Sequence, residues 1–473
     1  MEQATKNYSH ILILCSTALL LNLAFLSVSY RTFFCSGLMS PHGDIAYNIF
    51  TNNSLKSNPK RLSAIAHTQT EEQRLVDYAE LPQPDSYGPP THFRSINDTV
   101  GYGVLMGLVW KITKSLRYSD MRWLQILIFC LLMPLIYAIA LLMLNNKNSA
   151  FLACLALLAF TPLIFMNVRP LRDIWGFYGL VVLLYCLNRS RHSSLSWPVI
   201  MWWALCFVIC QWLRPTIFFT LLATGPLIFI YARSVIKMWI LFLACNLLFF
   251  WLPFMLYNKI AYNSVLVSCA GQDLYEGLGE FPNPWKIKMD DDWCNNHMLK
   301  EYNIRPGSSN YQQKLSELFW QAVKDRPLTY CLQLLRRSLQ LIIFYAMIHE
   351  WEEYEHARKH STNIVVHKWI NFMEAMDHVQ RKIKFGCIYL MLGWLGLILL
   401  WLKKKKFETL LIIIVALSGA SKFCSHLETR YLVPHYAFFC LAIGYLLYAS
   451  YRFVFIHSLF KHFRVKIINF HQN

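Results

Sequence analysis

Charged side chains are scarce in this chain, and a few stand where long apolar runs begin or end. They are Asp44 in PHGDIAYNIF, Arg169, Arg172 and Asp173 in RPLRD, Arg214 in LRPTIFF, and Glu428, Arg430 and Tyr431 in HLETRYLVP. A carboxylate at a water boundary can take the proton of an attacking hydroxyl. The planar fork of arginine matches the oxygens of a phosphate. Charge held at membrane depth is costly unless it is paired, faces a cavity or meets a ligand, so such residues are site candidates by default. Together they suit an anionic ligand delivered from the lipid phase, with His42, two residues before Asp44, as a further candidate.

Each position also has a plainer role. Asp44 is equally suited to capping an interfacial helix. The RPLRD segment reads as a turn with a helix-starting Asp, Arg214 before Pro215 as a snorkelling side chain, and Glu428 with Arg430 and Tyr431 as an ion pair with an aromatic anchor. Asp290, Asp291 and Asp292 point in different directions on any regular element and read as a solvated turn, not a metal site. His42, His92 and His435 have no ligand spacing among themselves. No metal ligand set and no cofactor are expected, although a divalent ion is left open.

The elements that position these residues must be membrane helices. The chain has 473 residues, 56% hydrophobic and 15% charged, which is too apolar for a soluble multidomain enzyme. A span needs roughly 20 mostly apolar residues. That criterion selects about ten segments, starting near Ile11, Trp123, Ala150, Ile174, Trp197, Thr216, Met238, Phe385, Phe407 and Tyr431. The first, with Lys6 ahead of it, is read as an anchor and not as a cleaved signal peptide. Lys147, Arg189, Arg191, Arg233, Lys237, the run Lys403 to Lys406 and the basic tail mark the cytoplasmic side. The expected fold is therefore all-α and polytopic, with both termini inside and two long outer loops containing interfacial helices. Its divisions are a first span in 1–30, a first outer loop in 31–122, spans two to seven in 123–258, a second outer region in 259–384, and three last spans with a basic tail in 385–473. Gly101 to Thr113 and Leu328 to Ile348 are too short or too interrupted to span, and both are expected to lie along the membrane surface.

The net charge of +18 is explained by basic residues flanking spans and meeting anionic lipid headgroups, with no need for a nucleic-acid partner. Most of the 14 cysteines lie in apolar runs, without zinc-like spacing, and read as small buried residues. Cys35, Cys269, Cys294 and Cys331 fall in the outer regions, where disulfides are open to them.

Taken together these segments resemble the membrane-embedded glycosyltransferases of the GT-C superfamily, in the branch of protein O-mannosyltransferases and lipid A aminoarabinose transferases. The matching pieces are HGDIAYNIF with Asp44, NDTVGYGVLMGLVWKI, LRDIW, LRPTIFF, GLGEFPNPWKIKMDDDW and RYLVPHYAFFCLAIGYLL. Ile45 stands where many relatives carry a second acid. The resemblance implies transfer of a hexosyl or pentosyl group from a polyprenyl-phosphate donor to a glycan, lipid or protein acceptor. It places the active site on the periplasmic or lumenal side, with a bacterial inner membrane as the expected home. In that scheme Asp44 is the catalytic base and Arg214, Arg430 and Arg172 hold the donor phosphate. Asp173, Glu428, Tyr431 and His42 are then neighbouring site residues. The rival reading is a transporter or flippase for an anionic lipid or solute, which also uses intramembrane arginines; no inverted repeat is apparent.

Overall fold

A backbone in hydrocarbon must satisfy its hydrogen bonds within its own segment, and residues that are apolar on every side do so as helices. The computed structural model describes residues 2–28, 40–52, 56–57, 91–92, 100–262 apart from 170 and 194, 270–304, 309–342, 358, 364–382, 385–420, 423–424 and 429–470. Within them the regular structure is helical, save for a two-residue antiparallel pair, Lys56–Ser57 with Thr91–His92.

The first helix, α1 (Glu2–Val28), is followed by α2 (Ser40–Asn52) and α3 (Gly101–Thr113). Next come α4 (Ser119–Leu144), α5 (Lys147–Ala159), α6 (Thr161–Val168), α7 (Asp173–His192), α8 (Trp197–Leu213) and α9 (Ile217–Tyr231). A near-continuous rod then runs through α10 (Ile236–Asn246), a π-helical turn at Leu247–Trp251, and α11 (Leu252–Tyr262). The segment 270–382 holds α12 (Ala270–Gly277), α13 (Asp291–Tyr302), α14 (Ser309–Asp325), α15 (Pro327–Ile342) and α16 (Ile364–Lys382). The chain closes with α17 (Phe385–Leu402), α18 (Lys406–Ser418), α19 (Thr429–Tyr436) and α20 (Phe439–Phe470).

Every expected span start falls in, or one residue ahead of, a helix. Among the described residues four helices are long and apolar enough to cross a membrane by themselves: Tyr8–Ser27, Ser119–Leu144, Arg233–Ile260 and Phe385–Leu402. A fifth span is formed if α5 and α6, bent by 60°, are taken together. That bend has a local cause, because Pro162 has no N–H to continue the helix and instead sits at the start of a new one. The helix at Gly101–Thr113 has the expected bounds and ends where Lys114 turns left-handed at φ 53°.

Polar residues inside the bundle are joined to one another. Asn167 Nδ2 donates to Asn22 Oδ1 at 2.6 Å, and Tyr178 Oη, with one proton to give, lies 2.5 Å from Asn167 Oδ1 and 2.9 Å from the Gln125 main-chain carbonyl. Gln125 Nε2 then reaches the Leu171 carbonyl at 3.1 Å. This network ties α1, α4, α6 and α7 together and fixes the RPLRD turn.

Helices α12 to α14 share an apolar cluster of their own, including Tyr275, Leu278, Cys294, Met298, Leu315 and Phe319. Arg337, fully buried, bolts it to the bundle. Its Nε meets Glu280 Oε2 at 2.8 Å, and its Nη atoms donate to the carbonyls of Gly277, Phe423 and Cys424 at 2.6, 3.2 and 3.1 Å. Asp290 caps α13 by accepting from Trp293 N at 3.2 Å. Cys294 is buried in this cluster and Cys331 is exposed; Cys35 and Cys269 lie outside the described residues.

Candidate functional site

Helix α2 is held by close approach to α3. A Cβ added at Gly103 would lie 2.7 Å from Ile45 Cβ, and one at Gly107 would lie 2.8 Å from Ile49 Cβ. The two glycines, four residues apart, form one bare face on which Ile45 and Ile49 seat. His42 thereby packs edge-on against Tyr102, with ring centroids 5.3 Å apart at 81°.

The centre of the site is a buried ion pair. Asp173 opens α7 and Arg214 closes α8, so each charge suits its own helix end, a carboxylate at an N-terminus and a cation at a C-terminus. Arg214 Nη2 stands 2.9 Å from Asp173 Oδ1, an electrostatic approach and not an aligned hydrogen bond. Pro215 drives Arg214 out of the helical region, to φ −143° and ψ 93°. Gly176, one turn into α7, leaves room for this arrangement: a Cβ there would lie 3.3 Å from Arg214 Cγ and 4.0 Å from Pro434 Cβ. The guanidinium lies 4.9 Å from the Tyr431 ring centroid, so α19 supplies an aromatic face to the same cation.

Electrostatics join α2 to this pair. Burial pushes the His42 imidazole down to about 3; the Arg172 cation lowers it further and the Asp173 carboxylate opposes. His42 is therefore neutral at ordinary pH. Burial, then the Asp173 charge, holds the Tyr102 phenol protonated, against the pull of Arg122. Below the pair, His435 Nδ1 meets the Val415 carbonyl at 3.0 Å and Ser418 Oγ at 3.1 Å, and Ser418 Oγ meets Thr220 Oγ1 at 2.6 Å.

Of the expected site residues, His42, Arg172, Asp173, Arg214 and Tyr431 gather here. Asp44 lies in α2 and Arg430 in α19, but their side chains, and all of Glu428, are outside the described residues. Arg169 packs over the Phe165 ring at 3.8 Å. Sequence reasoning missed three buried neighbours: Tyr102, Arg122 and His435. Gly103 and Gly107, just after Tyr102, were a signal for it, because bare residues at spacing four mark a face of close packing. Arg122 carries the same mark as the others, a charge at the head of an apolar run. His435 carried none. No group of three metal-ligating side chains occurs among the described residues.

No protein-family model and no curated protein sequence matches this chain. Among solved structures it is similar to the archaeal oligosaccharyltransferase AglB from Archaeoglobus fulgidus, in complex with an inhibitory peptide and a dolichol-phosphate, at a TM-score of 0.47 and 10% identity. The match covers 97% of this chain and 52% of that one, so this chain spans about half the length of that protein.

Proposed function

We propose that this chain is a membrane glycosyltransferase of the GT-C type, moving a sugar from a polyprenyl-phosphate donor to a hydroxyl acceptor at the outer face of the membrane. The observation that carries this reading is the buried Asp173–Arg214 pair, framed by His42, Arg172 and Tyr431 at one end of the helices. Arg214 Nη2 meets Asp173, and the planar fork of a guanidinium matches two phosphate oxygens. Asp173 and Tyr431 hold the fork in place before any ligand arrives, which is how preorganised charge lowers a barrier.

In this scheme Asp44 takes the acceptor hydroxyl's proton as its oxygen attacks the anomeric carbon. The bond from that carbon to the phosphate oxygen breaks, and the phosphate leaves with the electron pair. Arg214, Arg430 and Arg172 meet the charge it carries away. Phosphate is a good leaving group, so no general acid is assigned. His42, neutral and buried, offers hydrogen bonding without adding charge, and Glu428, two residues before Arg430 in the sequence, is a further candidate.

The topology proposed with this function has ten spans, both termini in the cytoplasm, and the outer regions 31–122 and 259–384 facing the periplasm or lumen. Helix α7 supports it: with 20 residues it is about 30 Å long, close to a hydrocarbon thickness, and it runs from Asp173 to a basic end where Arg191 pairs with Glu408 at 2.6 Å. The test supplies purified protein in lipid nanodiscs with a panel of polyprenyl-phosphate sugars. Release of polyprenyl phosphate with loss of the sugar is expected for at least one donor. A protein that relocates such lipids but leaves every sugar–phosphate bond intact would be a flippase, and the proposal would fall.

A further inference from the structure

Helix α15 turns two different faces to its surroundings. Inward, four residues apart, Gln333 donates to the Leu278 carbonyl at 2.9 Å and Arg337 makes the buried contacts that fix the second outer region. Outward, Leu328, Leu332, Leu335 and Leu339 are 78, 58, 57 and 49% exposed. Steps of four, three and four place these leucines on one line along the helix. Arg336 flanks the line, its guanidinium 5.7 Å from the Phe281 ring centroid.

The position of the stripe matters as much as its composition. Tyr436 Oη donates to the Leu341 carbonyl at 2.9 Å, tying the end of α15 to the end of α19. One residue on, the Ala437 carbonyl accepts from Tyr389 Oη at 3.0 Å, in the first turns of α17. Helix α17 is apolar enough to cross a membrane and exposes Met391, Leu395 and Ile398. The end of α15 is therefore joined, through the end of α19, to the first turns of a helix that exposes an apolar surface. Protein interfaces are anchored by aromatic or arginine side chains seated in pockets. An apolar stripe with a cation on its flank suits the boundary between headgroups and acyl chains.

We propose that α15 is a membrane-surface helix whose leucine stripe is seated in the acyl chains of the outer leaflet, with bilayer lipid as its occupant. The seat has a consequence for the site. Arg337, on the opposite face, binds the carbonyls of Phe423 and Cys424, ahead of the helix that carries Arg430, Tyr431 and His435. The bilayer then sets the height of that helix through one rigid strut.

Cys331 is an exposed native thiol one residue before Leu332 and serves as the probe. The full chain is labelled with bimane in phosphatidylcholine vesicles, and Cys331→Ser protein labelled in the same way gives the signal of other thiols to be subtracted. The Cys331 fluorescence should be quenched several-fold more by lipid carrying a nitroxide near the top of the acyl chain than by iodide in the buffer. Stronger quenching by iodide, or protection from both quenchers as under a protein partner or a second copy, would overturn the proposal. In the labelled double variant Leu332→Glu with Leu335→Glu, lipid quenching should fall toward that of iodide, and unchanged lipid quenching would count against the stripe.

Discussion

Asp44 and Asp173 are two carboxylates for which different work is proposed. Asp173 is committed to Arg214 inside the protein, whereas Asp44 belongs to α2, two residues along the chain from the buried, neutral His42. Helix α2 begins at Ser40, so Asp44 lies inside the helix and is not its N-cap, contrary to the plainer reading of the sequence. Asparagine keeps the shape of aspartate but cannot take a proton; if Asp44 is the base, Asp44→Asn is expected to lower turnover by about 100-fold or more while the protein still folds. Turnover assays beside thermal unfolding in detergent check this, and near wild-type turnover would remove Asp44 from the mechanism. His42 makes a separate, signed prediction. Its folded pKa of about 3 lies below the ordinary 6.5, so the unfolded chain binds the extra proton between those values. The contribution of His42 is whole above pH 6.5 and is lost as pH falls toward 3, at a slope of at most about 1.4 kcal/mol per pH unit. His42→Gln cannot titrate and should flatten that part of the stability profile; an unchanged slope would assign the acid sensitivity to other groups.

Helix packing decides whether these side chains meet at all. Valine at Gly107 would push into Ile49 and the Ala46 carbonyl, 2.8 and 2.9 Å from the new Cβ. Gly107→Val is therefore expected to destabilise the protein by about 1–3 kcal/mol and to lower activity with no site residue changed. Leu108, one residue along and 48% exposed, is the control, since Leu108→Val should leave both nearly as they were. The measurement is the unfolding midpoint together with turnover for the two variants. The bounds of Gly101–Thr113 were readable in sequence, because a short apolar run between polar segments has little other choice. The break at Pro162 was equally available and was passed over, since the apolar run continues through it. Arg336 and Arg337 show what a linear reading hides. They look like one interruption, but adjacent helix positions differ by about 100°, so Arg336 is exposed and Arg337 is fully buried. Likewise Asp173 and Arg214 are each recognisable as an odd charge, but their pairing depends on α7 and α8 lying antiparallel, which periodicity does not state.

At the scale of the whole molecule, the proposed orientation places the Lys403 run in the cytoplasm and Asp44 and Asp291 outside. Single cysteines at these positions, probed with an impermeant maleimide in sealed vesicles, should label from opposite sides, and labelling of both Asp positions from the cytoplasmic side would invert the topology. The basic end has its own fastening, for Lys405 donates to the Met143 carbonyl beside the Arg191–Glu408 pair, so the run is partly built into the bundle. The bond between Asn22 and Asn167 bears on how the chain is made. Asn22 sits inside the first apolar helix, and its side-chain carbonyl finds its partner 145 residues later. At about 5–20 residues per second of synthesis, that acceptor waits roughly 7–30 s for Asn167 to emerge. During that interval the newborn first helix presents an unmet polar group to the bilayer or to the insertion machinery, which gives a membrane chaperone something to hold until α6 arrives.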